Sequence, residues 1–248
     1  MHQVCTYGPI TNDTKQLGIT RQLIGGKDVC FWKQLINGMH LGGHLHCVEY
    51  VVVPPGASIG RHTHERTEEI YYILSGRASM DIDDTSREVV AGDLITTPLG
   101  ASHALANATE QFLTVFVLEV FPGETGTPGE VAHLPLRSQL LERIVARDAT
   151  EGVFSASIDL ARYFTGNWAD FTLAHIPPGS QRGPYTCEGR DEVLFVVSGL
   201  AEVTFGDESI SGRAGLCIGL PAQVSRTICN VSLKEPLELI QAAVSTDI

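Results

Sequence analysis

The sequence predicts a strand-rich fold built from two copies of one unit. Short apolar runs bounded by Gly and Pro indicate strands, and the run from 44 to 52 alternates with a period of two. A set of residues then recurs 123 positions later without insertion or deletion, which favours duplication of one folding unit. The recurring residues are Pro54-Pro55-Gly56, Glu69, Ser75-Gly76, Gly92, Pro98 and Asn107, matched by Pro177-Pro178-Gly179, Glu192, Ser198-Gly199, Gly215, Pro221 and Asn230.

Length and composition are those of an ordinary globular protein. The 248 residues are 43% hydrophobic and 19% charged, enough for one large domain or two small ones with a proper core. A formal net charge of -12, without a cluster of Lys or Arg, argues against nucleic acid and anionic membranes as partners. No apolar run approaches the ~20 residues of a membrane span, and no secretory signal is visible. Six cysteines without CxxC spacing are typical of a reducing compartment, so we expect a cytoplasmic protein.

The strand before the repeated residues carries two candidate functional side chains. After a turn at Gly42-Gly43, the alternation predicts that Glu49 faces outward and that His46 and Tyr50 lie on the opposite face. In that orientation His46 is a candidate catalytic proton carrier and Tyr50 a candidate substrate-binding residue. The alternative is that both side chains are packed and hydrogen-bonded, or contribute to a subunit interface.

Three histidines and a glutamate occupy fixed spacings within the first copy. His62 and His64 are separated by one residue, so a strand would point both side chains to the same face. Glu69 opens the next apolar run, and His103 starts a third. Three imidazoles and one carboxylate that converge make a site for a divalent metal ion. The alternative, that these are ordinary polar residues of the surface or loops, would suit a lone His-x-His pair but not the complete pattern.

Read as spacings, the pattern is G(x)5HxH(x)4E(x)6G followed by G(x)5PxG(x)2H(x)3N, and all ten fixed positions are filled between residues 56 and 107. It resembles the double signature of the cupin superfamily, and the chain resembles a bicupin of the quercetinase and oxalate decarboxylase type. The resemblance implies an all-β fold of two tandem jelly-roll β-barrels with a short helical or irregular linker. We expect a first barrel at 1–122 that holds the metal site, a linker and entry to the second barrel at 123–150, and a second barrel at 151–248.

The spacing also decides between two adjacent carboxylates. The step to Gly76 selects Glu69 over Glu68 as the metal ligand, and a strand would turn Glu68 to the opposite face. Tyr71 shares the phase of Glu69 and is expected to point into the same cavity, as a catalytic or substrate-binding phenol or as core filling. Glu69 itself is a candidate base if it moves off the metal.

The connection between the two copies is expected to be short. The stretch 121–129 is rich in Pro and Gly and indicates a linker or exposed loop. The apolar residues Leu136, Leu140, Leu141 and Ile144 then follow at near-helical spacing, which predicts a short connecting helix.

The second copy lacks the three histidines. Tyr185, Cys187 and Arg226 occupy their positions, and only Glu192 matches a ligand, so we expect a degenerate site without metal. Arg stays protonated and cannot coordinate a cation. We expect Arg226 and Glu192 to form an ion pair. The alternative is a pocket in which Arg226 binds a carboxylate-bearing ligand.

The resemblance implies a metal-dependent enzyme that acts on a small organic molecule. The leading expectation is a dioxygenase-type oxidoreductase similar to the quercetinase and acireductone group, with Fe(II) favoured at His62, His64, Glu69 and His103. Mn, Ni, Zn or Cu suits the same ligands. The alternatives are a non-redox isomerase, cyclase or lyase, and a non-catalytic small-molecule-binding cupin whose metal is structural. The resemblance also implies a homodimer.

Overall fold

The computed structural model describes residues 4–42, 44–123, 129–146 and 152–246. Residue 43 of the predicted Gly42-Gly43 turn, 124–128 of the predicted linker and the expected boundary at 150/151 lie outside these ranges. The first half contains β1 (Cys5–Tyr7), β2 (Gly18–Arg21), β3 (Val29–Asn37), β4 (Leu45–Val53), β5 (Ser58–Thr63), β6 (Glu68–Ser75), β7 (Arg77–Ile82), β8 (Thr85–Val90), β9 (Leu94–Thr97), β10 (Ser102–Ala106) and β11 (Leu113–Val120).

The second half follows the same plan. It contains β12 (Ala132–Leu134), α1 (Leu136–Ala146), β13 (Phe154–Asp159), β14 (Trp168–Ile176), β15 (Gln181–Tyr185), β16 (Arg190–Ser198), β17 (Leu200–Phe205), β18 (Glu208–Arg213), β19 (Cys217–Leu220), β20 (Arg226–Asn230) and β21 (Leu237–Ser245). Short 3₁₀ helices occupy Thr14–Gln16, Leu23–Gly25, Gly38–His40 and Leu160–Arg162.

Each barrel consists of two facing sheets. In the first barrel, the seven-stranded sheet β12-β9-β6-β11-β4-β3-β2 faces the four-stranded sheet β5-β10-β7-β8. Val51, Ile73 and Met80 belong to the apolar core of this barrel. In the second barrel, the sheet β1-β19-β16-β21-β14-β13 faces β15-β20-β17-β18, with its own core around Val203 and Ile218. The prediction of an all-β protein with two tandem barrels is confirmed.

The two barrels exchange their leading strands. β1 precedes the first barrel in the chain but pairs with β19 of the second, with Cys5 opposite Gly219. β12 precedes the second barrel but pairs with β9 of the first, with Ala132 opposite Thr96. The partner strands β9 and β19 are equivalent in the repeat, since they begin 123 residues apart. The exchange therefore follows the same symmetry as the duplication.

A third core joins the barrels. The two large sheets pack against each other, with the ring of Tyr72 5.7 Å from that of Phe171 and the ring of Phe116 5.0 Å from that of Phe195. These four side chains are almost completely buried. The strands of the large sheets are therefore apolar on both faces, as expected for strands that are covered on both sides.

Two buried carboxylates fix the barrels to each other at equivalent positions. Glu68 accepts hydrogen bonds from the backbone N–H groups of Thr165 and Gly166, both at 2.8 Å, and from the indole N–H of Trp168 at 3.0 Å. Asp191 stands 123 positions after Glu68 and accepts a hydrogen bond from the backbone N–H of Gly42 in the first barrel. Glu68 thus faces away from Glu69, as predicted.

Repeated glycines hold equivalent turns in both barrels. Gly76 and Gly199 have φ of 85° and 90°, in the left-handed region that L side chains rarely adopt. A Cβ atom would lie 2.7 Å from the carbonyl oxygen of Phe112 at the first and 2.5 Å from that of Pro236 at the second. These positions of the motif therefore serve the fold rather than the chemistry.

The predicted connecting helix is present as α1. Its residues Leu136 and Leu140 are fully buried, while Leu141 is exposed. Arg137 in its first turn forms a bidentate ion pair with the buried Glu238, with N···O distances of 3.2 and 3.0 Å. In the part of the chain described, no helix combines the length and apolar character that crossing a membrane requires.

Candidate metal centre

Three strands bring the predicted ligands together. His62 lies near the end of β5, His64 follows that strand directly, Glu69 is the second residue of β6, and His103 lies in β10. The sheet register places His103 opposite His62. The Nε2 atom of His103 lies 3.0 Å from that of His62 and 3.1 Å from that of His64. The Oε2 atom of Glu69 lies 3.2 Å from Nε2 of both His64 and His103.

These residues fit a divalent metal ion. Ligand atoms ~2.1 Å from one ion and at right angles to each other lie about 3 Å apart, which matches the observed distances. Oε2 of Glu69 is buried, and it makes no hydrogen bond within the described ranges. An orphaned carboxylate oxygen beside three imidazole nitrogens is the arrangement that a cation would complete. The structure therefore brings together His62, His64, Glu69 and His103, the four residues predicted as ligands.

The outer nitrogens of the imidazoles are oriented by neighbouring groups. Nδ1 of His62 donates to the carbonyl oxygen of Gly60 at 2.9 Å, and His64 is hydrogen-bonded to the backbone of Thr67. Nδ1 of His103 lies 3.2 Å from the hydroxyl oxygen of Thr97. These contacts leave each Nε2 atom for coordination, and such partners fix the tautomer of a ligating histidine.

Burial favours the neutral, ligating form of two of the histidines. Burial and the neighbouring imidazoles hold the pKa of His103 well below its usual range, and burial also lowers the pKa of His62. Burial opposes protonation of His64 as well, but the negative charge of the neighbouring Glu69 offsets this and raises the pKa of His64. Burial raises the pKa of Glu69 to about 7. Without a cation, the buried carboxylate and the His64 imidazole thus compete for a proton, which a metal ion would replace.

Three of the four ligands, His62, His64 and Glu69, line a cavity of about 460 Å³ that opens to solvent. Its apolar wall includes Trp32, Val51 and Val117. Tyr71 also lines the cavity, and its ring centroid lies 4.9 Å from that of His103. The predicted orientation of Tyr71 is therefore confirmed. The volume and the mixture of apolar and polar groups are typical of a small-molecule site.

Two carboxylates of the same cavity were missed by sequence reasoning. Glu49 in β4 and Glu119 in β11 both line it. The hydroxyl of Thr67 donates to Oε2 of Glu119 at 2.7 Å, and Glu119 is paired in register with Glu69. Burial, together with the charge of Glu119, raises the pKa of Glu49 to about 7. The prediction that Glu49 faces outward was wrong.

The wrong orientation predicted for β4 also affects Tyr50 and His46, the two candidate functional residues of that strand. Tyr50 faces the core between the barrels, where its hydroxyl donates to Oδ1 of Asn12 at 2.6 Å and its ring lies 6.3 Å from that of Phe195. His46 is exposed and its ring lies 4.8 Å from that of Phe121. Neither residue lines the cavity, so the predicted placement of His46 and Tyr50 beside the metal ligands is corrected. The cause is that β4 is buried on both faces, so the alternation along it does not distinguish a buried face from a solvated one.

The equivalent place in the second barrel holds an ion pair. Nε of Arg226 lies 3.0 Å from Oε2 of Glu192, with both side chains buried. The Tyr185 hydroxyl donates to Oε2 of Glu192 at 2.9 Å, and Nε2 of Gln241 donates to Oε1 at 3.0 Å. Burial and the charge of Glu192 raise the pKa of the Cys187 thiol, and the charge of Arg226 opposes this. The predicted ion pair is confirmed, and the guanidinium group supplies the positive charge at this centre.

The fold and the ligand set define a two-barrel protein with a His₃Glu centre, and comparison with known proteins agrees. The cupin domain family matches residues 49–121. The oxalate-binding protein of Thermotoga maritima is 32% identical over 97 residues, which cover 38% of this chain and 80% of that protein. The chain therefore belongs to the cupin family.

Solved structures of low identity share the whole fold. Protein Ylba from E. coli has a TM-score of 0.69 at 12% identity, and the alignment covers 99% of this chain and 92% of that one. Oxalate decarboxylase of Bacillus subtilis also has a TM-score of 0.69, at 17% identity, with 97% of this chain and 78% of that one covered. At these identities the likeness shows the two-barrel fold and not the reaction.

Proposed function

We propose that this protein is a metal-dependent enzyme that acts on a small organic molecule at the centre in its first barrel. The observation that carries the proposal is the meeting of four ligand atoms at a cavity of about 460 Å³, which His62, His64 and Glu69 line. Structural metal sites are usually closed by protein ligands, whereas catalytic sites keep a position open to substrate. A ligand set that faces a space of small-molecule size supports the catalytic case.

The ligand set suits Fe(II) first, and Mn, Ni, Zn or Cu as well. His62, His64 and His103 would hold the ion through Nε2, and Glu69 through Oε2. A bound divalent ion would supply Lewis acidity, and Fe(II) would also relay electrons from the organic substrate to O₂. We therefore place a dioxygenase-type oxidation first among the reactions.

The residues of the cavity have separate tasks in such a reaction. Trp32, Val51 and Val117 form an apolar wall against which the apolar part of a substrate packs. Burial raises the pKa of Tyr71 well above its usual range, so its hydroxyl remains a hydrogen-bond donor. The phenol orients a substrate oxygen beside His103.

A specific observation favours a second reaction class. Glu49 and Glu119 place two further carboxylates beside the ligands, and the pKa of Glu49, raised to about 7 by burial and by Glu119, suits proton transfer near neutral pH. A non-redox isomerase, cyclase or lyase would use Glu49 to take up a proton from the substrate and return it.

Oxygen uptake separates these classes. The Fe(II)-loaded protein is followed in an oxygen electrode with a panel of small organic substrates, and the same panel is tested anaerobically with the Zn(II)-loaded protein. Uptake of O₂ in proportion to product supports the dioxygenase, whereas turnover with Zn(II) and without O₂ supports the non-redox class. Binding without turnover that survives His103→Ala would contradict both and favour a non-catalytic cupin with a structural metal.

A further inference from the structure

The charges that face the cavity of the first barrel are almost all negative. Glu49, Glu69 and Glu119 lie within it, and the exposed Glu65 and Arg66 lie on its lining. Among the described residues that line the cavity, Arg66 is the only Lys or Arg. Since Glu65 and Arg66 are exposed, solvent screens them and their opposite charges offset each other.

A bound divalent ion does not reverse this balance. Glu69 neutralises half of the ion's charge, and Glu49 and Glu119, when both are ionised, outweigh the remainder. A dicarboxylate that enters this space meets two carboxylates of its own sign in a partly buried environment, where repulsion is weakly screened. A cationic group meets attraction instead.

The two carboxylates also differ in their hydrogen bonding. Glu119 receives the hydroxyl hydrogen of Thr67. Glu49 is half-buried, and we find no hydrogen-bond donor to it in the described portions of the chain. A carboxylate withdrawn from water without a donor is unfavourable, and burial together with the charge of Glu119 accordingly raises the pKa of Glu49 to about 7. A ligand that brings N–H donors removes this penalty.

The second barrel shows that the scaffold does not require these carboxylates. Thr172 stands 123 positions after Glu49 in the equivalent strand. Ala243 pairs in register with Glu192, as Glu119 pairs with Glu69. The two carboxylates are therefore an addition to the first barrel, beside its metal ligands.

We propose that the substrate presents a protonated amino, amidino or guanidino group to Glu49 and Glu119 while another of its groups approaches the metal ligands. This rests on the proposed function, since it assigns a substrate class to the same cavity. Two of the similar proteins are named for oxalate, and the lining of this cavity selects against such a dianion.

Three probes that share a metal-binding end and differ in the charge of their tails test the assignment. β-Alanine hydroxamate carries an ammonium tail, succinate monohydroxamate carries a carboxylate tail of the same length, and propionohydroxamate is the neutral reference. Each is titrated by calorimetry into Zn(II)-loaded protein from which free metal has been removed. We expect the ammonium probe to bind at least about tenfold more tightly than the carboxylate probe.

Variants assign the preference to the named side chains. Glu49→Gln keeps the shape of the side chain and removes its charge. It should reduce the tenfold preference for the ammonium probe over the carboxylate probe to within about threefold, mainly because the ammonium probe binds more weakly. Glu119→Gln provides a second variant if the first is poorly folded. Glu88→Gln removes an exposed carboxylate of β8 outside the cavity and should leave the preference unchanged.

The outcomes separate the two proposals. Tighter binding of succinate monohydroxamate, or a preference that Glu49→Gln and Glu119→Gln leave intact, overturns the substrate class while the metal-dependent site stands. Failure of all three probes to bind the Zn(II)-loaded protein overturns the open metal site itself, and with it both proposals.

Discussion

The two barrels share a scaffold and differ at their centres. Asn107 donates through its side-chain N–H₂ to the carbonyl oxygens of Val53 and Gln111, and Asn230 does the same for Ile176 and Glu235. The glycine turns and the carboxylates that join the barrels are repeated in the same way. The positions that build the barrel are therefore separable from the positions that line its interior.

The centres differ in the source of their positive charge. In the first barrel, three imidazoles surround Glu69, and a cation must come from outside the chain. In the second, Arg226 provides the charge next to Glu192, supported by Tyr185 and Gln241. The comparison indicates that a barrel of this kind accepts either an external cation or an arginine, as long as a positive charge balances the buried glutamate.

The largest effect is expected from removing a ligand of the first centre. His103→Ala should reduce the metal content from about one ion per chain to less than about a tenth of that, because an open ligand position weakens a site already shared with solvent. The measurement is elemental analysis after loading with Zn(II) or Mn(II) and gel filtration. His40→Ala, which changes an exposed histidine outside the cavity, should retain the wild-type content.

Metal stoichiometry also tests the contrast between the barrels. Arg226→Ala removes the guanidinium but leaves Tyr185 and Cys187 in place of imidazoles, so its metal content should stay at the wild-type level. About two ions per chain in the wild-type protein would be incompatible with the single centre.

Much of this contrast could be predicted from the sequence because it rests on fixed spacings. His62 and His64 share a face by strand geometry, and the constant offset of 123 residues identified Arg226 as the counterpart of His103. The choice of Glu69 over Glu68 followed from the same spacing, and the structure gives the physical reason. Glu69 faces the cavity, while Glu68 is fully buried at the contact between the barrels.

The orientation of β4 could not be predicted, because the rule behind it fails for this strand. Period-two alternation reveals the buried face when the other face is solvated. In β4, Val48 and Val52 pack between the barrels while Val51 and Val53 pack inside the first barrel. Glu49 looked like an outward residue because it is charged, yet it faces a cavity that opens to solvent. The strand exchange was equally hidden, since pairing partners of short edge strands leave no pattern in the sequence.

The second prediction concerns the ion pair of the second barrel. Arg226→Met should lower the free energy of unfolding by about 3–5 kcal/mol, because it leaves the buried Glu192 without its counter-charge. Urea denaturation of the metal-free protein provides the measurement. The double variant Arg226→Met/Glu192→Gln should recover most of the lost free energy of unfolding, since the unpaired charge of Glu192 is then removed as well.

A double variant no more stable than Arg226→Met would mean that Arg226 contributes by packing rather than by charge. In that case the view of the guanidinium as an internal replacement for a metal ion would fail. Glu192→Gln alone should also destabilise, because Arg226 would then be the unpaired buried charge.

The third prediction addresses what the barrels have in common. Glu68→Gln should lower the free energy of unfolding by about 1–3 kcal/mol, because an amide replaces one of the carboxylate oxygens that accept from Thr165, Gly166 and Trp168. Asp191→Asn should act in the same direction by the same denaturation assay. Glu88→Gln serves as the exposed control, with a change within about 0.5 kcal/mol.

An effect of Glu68→Gln on metal content would show that the metal centre depends on the contact between the barrels. We expect none, since Glu68 and Glu69 point to opposite faces of β6. A destabilised protein that still takes up its full metal content would show that the contact between the barrels and the metal centre are independent.

The smallest effect is expected from a charge that only the first barrel carries. Burial and the charge of Glu119 raise the pKa of Glu49 from 4.5 to about 7, so the folded protein retains a proton on Glu49 that the unfolded chain releases in this range. The contribution of Glu49 to stability is therefore highest below pH 4.5 and declines as the pH rises towards 7. Glu49→Gln removes this decline. Since Glu49 is only half-buried, we expect a gain of about 1–2 kcal/mol at pH 8 and almost none at pH 4.

Denaturation of metal-free protein across this pH range measures the difference between Glu49→Gln and wild type. Glu69, Glu119 and Cys47, which act electrostatically with Glu49, are present in both proteins, so the change in slope reports on Glu49. Thr172→Val, at the equivalent position of the second barrel, should shift stability by the same amount at every pH because no charge is removed there. Parallel curves for Glu49→Gln and wild type would show that Glu49 titrates like an exposed carboxylate. The acidic lining of the first cavity would then make no pH-dependent contribution to stability that distinguishes the first barrel from the second.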